Sequence, residues 1–187
     1  MRVITGTARG KPLKTLAGEN VRPTGDRVKE ALFSVIQFEI AGRRVLDLFA
    51  GSGQLGIEAL SRGAASAVFV DSSKAAQRII QHNVNNCGFA EQSSFVQADS
   101  LSFLQTTSEK FSLVFIDPPY KKQEARSKRQ ESELTLLEEA LELLPRVLTD
   151  DAIICAESPA GQALPGVLSK FDAKEYLYGK IKLTIYR

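Results

Sequence analysis

With 187 residues, 43% hydrophobic and 25% charged, the chain has the size and balance of one well-buried folded domain and not of a disordered segment. No apolar run approaches the roughly 20 residues that span a bilayer, and the N-terminus carries no signal-peptide core, so a cytoplasmic protein without membrane contact is expected. Net charge is only +2, but residues 1–44 hold nine Lys/Arg against four Asp/Glu, while 45–187 hold fifteen against eighteen, which points to a polyanionic partner for the N-terminal part.

Residues 1–22 mix short β-like pieces with glycine and basic residues, the pattern of a hairpin or arm. Pro23-Thr24-Gly25 breaks the chain, and Thr24 to Asp26 supplies helix-start chemistry. Val28, Ala31, Leu32, Val35 and Ile36 then repeat at helical spacing. Arg43 to Phe49 reads as the first central strand, Ser52 to Arg62 as a helix closed by Gly63, and Ala67 to Asp71 as the second strand. Ala75, Ala76, Ile79, Ile80 and Val84 mark the apolar face of the next helix, with His82 on its solvated side. Strands are predicted at Ser94–Ala98, Leu113–Asp117 and Ala152–Glu157. Leu134, Leu137, Leu141, Leu144 and Leu148 mark a helix between the last two. Glu175 to Tyr186 reads as two strands around Gly179.

Strands alternating with helices imply an α/β fold with a doubly wound, Rossmann-like parallel sheet, to which the closing hairpin adds an antiparallel strand. The expected division is a basic β-hairpin arm over 1–22 and one catalytic domain over 23–187. Cys87 and Cys155 are isolated, Cys155 within an apolar run, and with a single histidine they form neither a disulfide framework nor a zinc site. No metal is expected.

In such a sheet, ligands bind beyond the carboxyl ends of the strands. Asp47, Asp71, Asp99 and Asp117 all map to that edge, and Ala50-Gly51-Ser52-Gly53 supplies a loop that a ligand can approach closely. Asp71 can take both hydroxyls of a ribose, and Asp99 can accept from an adenine amino group. Gly51-Ser52-Gly53-Gln54-Leu55-Gly56 also matches the dinucleotide fingerprint, with Asp71 at the expected distance. Against an NAD oxidoreductase, Asp47 places a charge four residues before the loop, which suits a cationic sulfonium and α-amino group better than a pyrophosphate. The chain also lacks an evident hydride-transfer constellation.

Asp117-Pro118-Pro119-Tyr120 follows the apolar run Leu113 to Ile116. The prolines end the strand and stiffen its exit. That leaves a carboxylate, a backbone carbonyl and an aromatic ring in fixed relation, a set suited to a planar base bearing an amino group. The basic run Lys121 to Arg129 follows directly.

Asp47-Leu48-Phe49-Ala50-Gly51-Ser52-Gly53 followed by Asp117-Pro118-Pro119-Tyr120 resembles the S-adenosylmethionine-dependent methyltransferases of exocyclic amino groups. Three further stretches, Arg2 to Leu13, Arg22 to Ser34 and Gly53 to Ala64, narrow the resemblance to the RsmD family, over essentially the whole chain. Gln54, where a small residue is usual, and Asp71, where Glu is common, depart from it mildly.

The resemblance implies a seven-stranded methyltransferase sheet and N2 methylation of one guanine in 16S rRNA, on the small ribosomal subunit; a monomer is expected. The implied cofactor pocket comprises Asp47, Phe49, Ala50, Gly51, Ser52, Gly53, Asp71, Ser72, Asp99 and Ser100, with Asp117, Pro118, Pro119 and Tyr120 as the catalytic set. Arg9, Lys11, Arg22, Thr24, Arg27, Lys121 and Lys122 are the expected RNA contacts. The motifs are also compatible with methylation of adenine N6 or cytosine N4.

Overall fold

A computed structural model describes residues 1–16, 23–119 and 135–187. Seven strands form one sheet: β1 (Arg44–Asp47), β2 (Ser66–Asp71), β3 (Ser93–Gln97), β4 (Phe111–Ile116), β5 (Leu148–Pro159), β6 (Ala173–Tyr178) and β7 (Ile181–Tyr186), in the order β3-β2-β1-β4-β5-β7-β6. The first five strands pair in parallel, and β7 runs antiparallel to both neighbours. The predicted doubly wound sheet with an antiparallel closing hairpin is what forms.

Alternate side chains divide the strands between two cores. Val45, Phe69, Leu113, Phe115 and Ile153 face one side, packed with α1 (Pro23–Val35), α2 (Gln54–Ser61) and α3 (Lys74–Cys87). Leu46, Val68, Val70, Val114 and Ile154 face the other, under α4 (Ser100–Thr106) and α5 (Leu136–Leu143). Each such side chain contributes about 1.5–3 kcal/mol by leaving water. Local chemistry sets the helix ends. The Ser73 side chain accepts the Ala76 N–H to start α3, and Gly88 closes it at φ 84°. Thr135 and Glu138 form a capping box at the start of α5.

The leucine spacing extends one element too far. The helix ends at Leu143, and Leu144–Arg146 tightens into a 3-10 turn holding Pro145, which has no N–H to continue it. Leu148 therefore begins β5, opposite Phe111, and Leu134 lies outside the described residues. On α3 the buried face is Ala76, Ile80, Asn83, Val84 and Cys87; Ala75 is exposed, Ile79 is half-buried, and His82 faces solvent as expected. The seven-residue α4 has no counterpart in the prediction, being too short for a periodic signal.

The N-terminal residues lie against the domain. Arg2 and Pro12 form one antiparallel bridge, and Val3, Ala8 and Leu13 are buried in the same core as α1 and α2. Glu58 of α2, fully buried, accepts the Ile4 N–H at 2.7 Å and the Thr5 N–H at 3.0 Å, and pairs with Arg62 at 2.9 Å. Ser61 Oγ accepts the Ala8 N–H and donates to the Thr5 carbonyl. Gly6 (φ 87°) passes so close to α2 that a Cβ there would lie 1.7 Å from the Ser61 carbonyl oxygen. Only glycine fits.

Candidate active site

β1 is the switch point of the sheet: the chain goes on to β2 and β3 on one side and returns as β4 and β5 on the other. Along the carboxyl edge, Asp47 ends β1, Asp71 ends β2, Asp117 follows β4, and Asp99 lies two residues past β3. The four acids thus stand on four neighbouring strands around the crevice.

The loop leaving β1 is tied to both adjacent strands. The Leu48 N–H donates to the Phe115 carbonyl at 3.1 Å, and the Ala50 N–H to the Val70 carbonyl at 3.0 Å. Gly51 and Gly53 take φ of 53° and 76°, the left-handed region that favours glycine, and carry the chain into α2. Asp71 Oδ2 accepts the Gly51 N–H at 2.9 Å, and its Oδ1 accepts the Ser73 N–H at 2.8 Å. Each of these oxygens retains a further lone pair for a ligand hydroxyl. Ser52 is buried, and its carbonyl accepts from Asn83 at 2.9 Å.

Asp47 sits beneath this loop, 3% exposed, with Oδ2 accepting the Gly56 N–H at 2.9 Å. Burial pushes its carboxyl up to about 7; the Gly56 hydrogen bond opposes that rise, and the neighbouring Asp71 charge adds to it. Gly56 is the third residue of α2, so its N–H is one of those that a helix start offers to an anion. The protein's own carboxylate already takes it. With that N–H already taken by the buried Asp47, the loop suits a cationic ligand group better than a pyrophosphate, whereas Asp71 fits a ribose in either case. The dinucleotide fingerprint is present in letters but not in electrostatics.

The remaining expected residues take varied places. Asp99 is exposed and caps α4, its Oδ1 accepting the Ser102 N–H at 3.0 Å. Ser100 is buried, its hydroxyl donating to the Leu48 carbonyl at 2.7 Å. Phe49 is half-buried, Ala50 buried and Ser72 exposed. Asp117 is half-buried, Pro118 buried and Pro119 exposed. Arg9 and Arg27 are exposed; Lys11, also exposed, donates to the Asn86 carbonyl at 2.7 Å. Thr24 falls in α1, whereas Arg22, Tyr120, Lys121 and Lys122 lie outside the described residues. Among the described residues there is no cluster of metal-ligating side chains, and no helix is long and apolar enough to cross a membrane.

Sequence reasoning passed over Asn83 and Glu58, both fully buried and both bonded to the N-terminal segment. It also gave Gln54 no role; its Oε1 is buried without a hydrogen-bond partner at the start of α2.

A family model described as "Conserved hypothetical protein 95" matches residues 1–187. Ribosomal RNA small subunit methyltransferase D of Escherichia coli K12 is 33% identical, over 100% of this chain and 89% of that protein. The solved structure of yhhF from Escherichia coli is 32% identical and superimposes with a TM-score of 0.82, over 100% of this chain and 96% of that one. The Thermus thermophilus 16S rRNA N2 G1207 methyltransferase RsmC, solved with AdoMet and guanosine, shares the fold at a TM-score of 0.69 and 18% identity, over 92% of this chain and 44% of that one. A full-length family match and a one-third identity spanning both chains together place this chain in the RsmD family of ribosomal RNA small subunit methyltransferases.

Proposed function

We propose that the protein transfers a methyl group from S-adenosylmethionine to the exocyclic N2 amine of a guanine in 16S rRNA, acting in the cytoplasm as a monomer on the small ribosomal subunit. The observation that carries this reading is the adjacency of Asp117-Pro118, at the exit of β4, to the glycine loop and buried Asp47 at the exit of β1. Membership of the RsmD family supports the choice of substrate.

The residues divide the work. Asp47 offers an acid near where the cofactor's amino and sulfonium groups would lie, and the two oxygens of Asp71 can take ribose hydroxyls. When bound, the cofactor supplies a methyl group already activated by positive sulfur. No strong base is then needed before transfer.

The guanine N2 lone pair is delocalised into the ring, so the amine is a poor nucleophile. Asp117 and the Pro118 carbonyl accept its two N–H bonds in this reading and favour a more pyramidal nitrogen. Pro118 is buried, its ring fixes φ and the following Pro119 restricts its ψ, so its carbonyl has little freedom to turn. Orientation of this kind supplies roughly 7–11 kcal/mol of a barrier. Asp117 then takes the released proton or passes it to water.

A base must leave its helical stack to reach the crevice, which is cheapest in a loop or bulge of RNA. Arg9, Lys11 and Arg27 are exposed cations for its phosphates. Tritiated methyl transfer to small-subunit particles from an undermethylated strain, followed by nucleoside identification, tests the reading. N2-methylguanosine is the expected product; label in N6-methyladenosine or N4-methylcytidine instead would move the substrate.

A further inference from the structure

Asn83 lies in the C-terminal half of α3 and is fully buried on a face otherwise made of Ala76, Ile80, Val84 and Cys87. All the polar parts of its carboxamide are engaged. Nδ2 donates to the Ser52 carbonyl at 2.9 Å and to the Lys14 carbonyl at 2.9 Å, and Oδ1 accepts the Lys14 N–H at 2.8 Å. Ser52 belongs to the glycine loop; Lys14 belongs to the basic N-terminal segment. One planar group therefore joins the proposed cofactor loop to the proposed RNA-binding arm. A second, weaker contact runs the same way, from Ser52 Oγ to Met1 Sδ at 3.8 Å.

A carboxamide is rigid, so fixing one of its bonds orients the others. A ligand seated on the Gly51–Gly53 loop settles the Ser52 carbonyl, and with it the plane that receives the Lys14 peptide. The same plane, held from the arm, steadies the loop. We infer that Asn83 is a positioning residue that couples the two sites, so that filling the cofactor loop tightens RNA binding and RNA tightens cofactor binding by the same factor. This rests on the methyltransferase reading above.

Binding of undermethylated small-subunit particles to fluorescently labelled protein, with and without S-adenosylhomocysteine, measures the coupling. For the native chain the two dissociation constants should differ by about 5-fold or more. In Asn83→Asp, which keeps the acceptor for Lys14 but loses both donors, the ratio should fall toward one. Lys14→Pro removes the N–H on the arm side and leaves the loop's own residues unchanged; it should lower the ratio too, and it carries the test if the Asn83 variant fails to fold. A merely structural role would weaken both affinities and leave their ratio intact.

A ratio of one in the native chain, or an undiminished ratio in either folded variant, overturns the inference. Calorimetric binding of S-adenosylhomocysteine and methyl transfer by the same preparation separate the two levels. If both are present and the native ratio is one, only the coupling falls. If both are absent, the methyltransferase reading falls and takes the coupling with it.

Discussion

The Asp71 carboxylate accepts the Gly51 N–H at 2.9 Å, so the end of β2 holds in place the loop that leaves β1. The same side chain takes the Ser73 N–H at the start of α3, and one acid thereby sets the relative positions of two strand exits and a helix. A ligand hydroxyl placed on Asp71 would meet a carboxylate that is already oriented.

Asp71→Ala should lose both the loop's anchor and the proposed ribose acceptor. S-adenosylhomocysteine affinity is expected to fall at least tenfold by calorimetry, with Asp71→Asn intermediate because one oxygen remains. Equal affinity in the alanine variant would remove Asp71 from the pocket.

Asp47 makes stability depend on pH in a defined window. Its folded value of about 7 stands above the ordinary 3.8, so between these the folded chain holds a proton that the unfolded chain has lost. Stability without cofactor should fall as pH rises through that window, by on the order of a few kcal/mol, and level off above it. Asp47→Asn should flatten the denaturation profile, raising stability at pH 8 and leaving it unchanged near pH 3. Cofactor affinity in the native chain should rise with pH toward 7, and the Asn variant should bind weakly at every pH.

Gly56 packs against β2 without room for a side chain. A Cβ there would lie 2.4 Å from Phe69 Cε1, and that ring is buried and stacked on Phe95 at 5.7 Å. Gly56→Ala should cost about 1–3 kcal/mol in urea denaturation. Phe69→Leu in the same chain should recover part of the loss, since the clash is with the ring; no recovery would place the fault in the Asp47 hydrogen bond instead.

Asp117→Ala should abolish methyl transfer while leaving S-adenosylhomocysteine binding within a few-fold, because Asp117 is assigned to the base and not to the cofactor. Single-turnover transfer to small-subunit particles is the measurement. Native turnover in this variant would end the proposed role.

The sheet and its edge were legible because alternation and strand ends are local. Val45 against Leu46 and Phe69 against Val70 announce two buried faces, and Asp47, Asp71, Asp99 and Asp117 fall at or just past strand exits wherever the exact boundaries lie. Leu148 misled because leucine spacing cannot register a proline three residues earlier as a stop. The docking of the arm was illegible for another reason. Glu58, Ser61 and Asn83 look like surface residues of amphipathic helices, and only their distant backbone partners explain their burial. Asp99 could be read in two ways, and the structure gives it a cap on α4 whatever else it binds.

The stitching of the first residues to α2 and α3 also bears on the order in which the chain folds. Ile4 waits for a partner 54 residues ahead, Lys14 for one 69 ahead and Lys11 for one 75 ahead. Closing loops of such length costs chain entropy before the contacts return any stabilisation. During synthesis Ile4 can therefore dock only once α2 has followed it, and Lys11 and Lys14 only once α3 has.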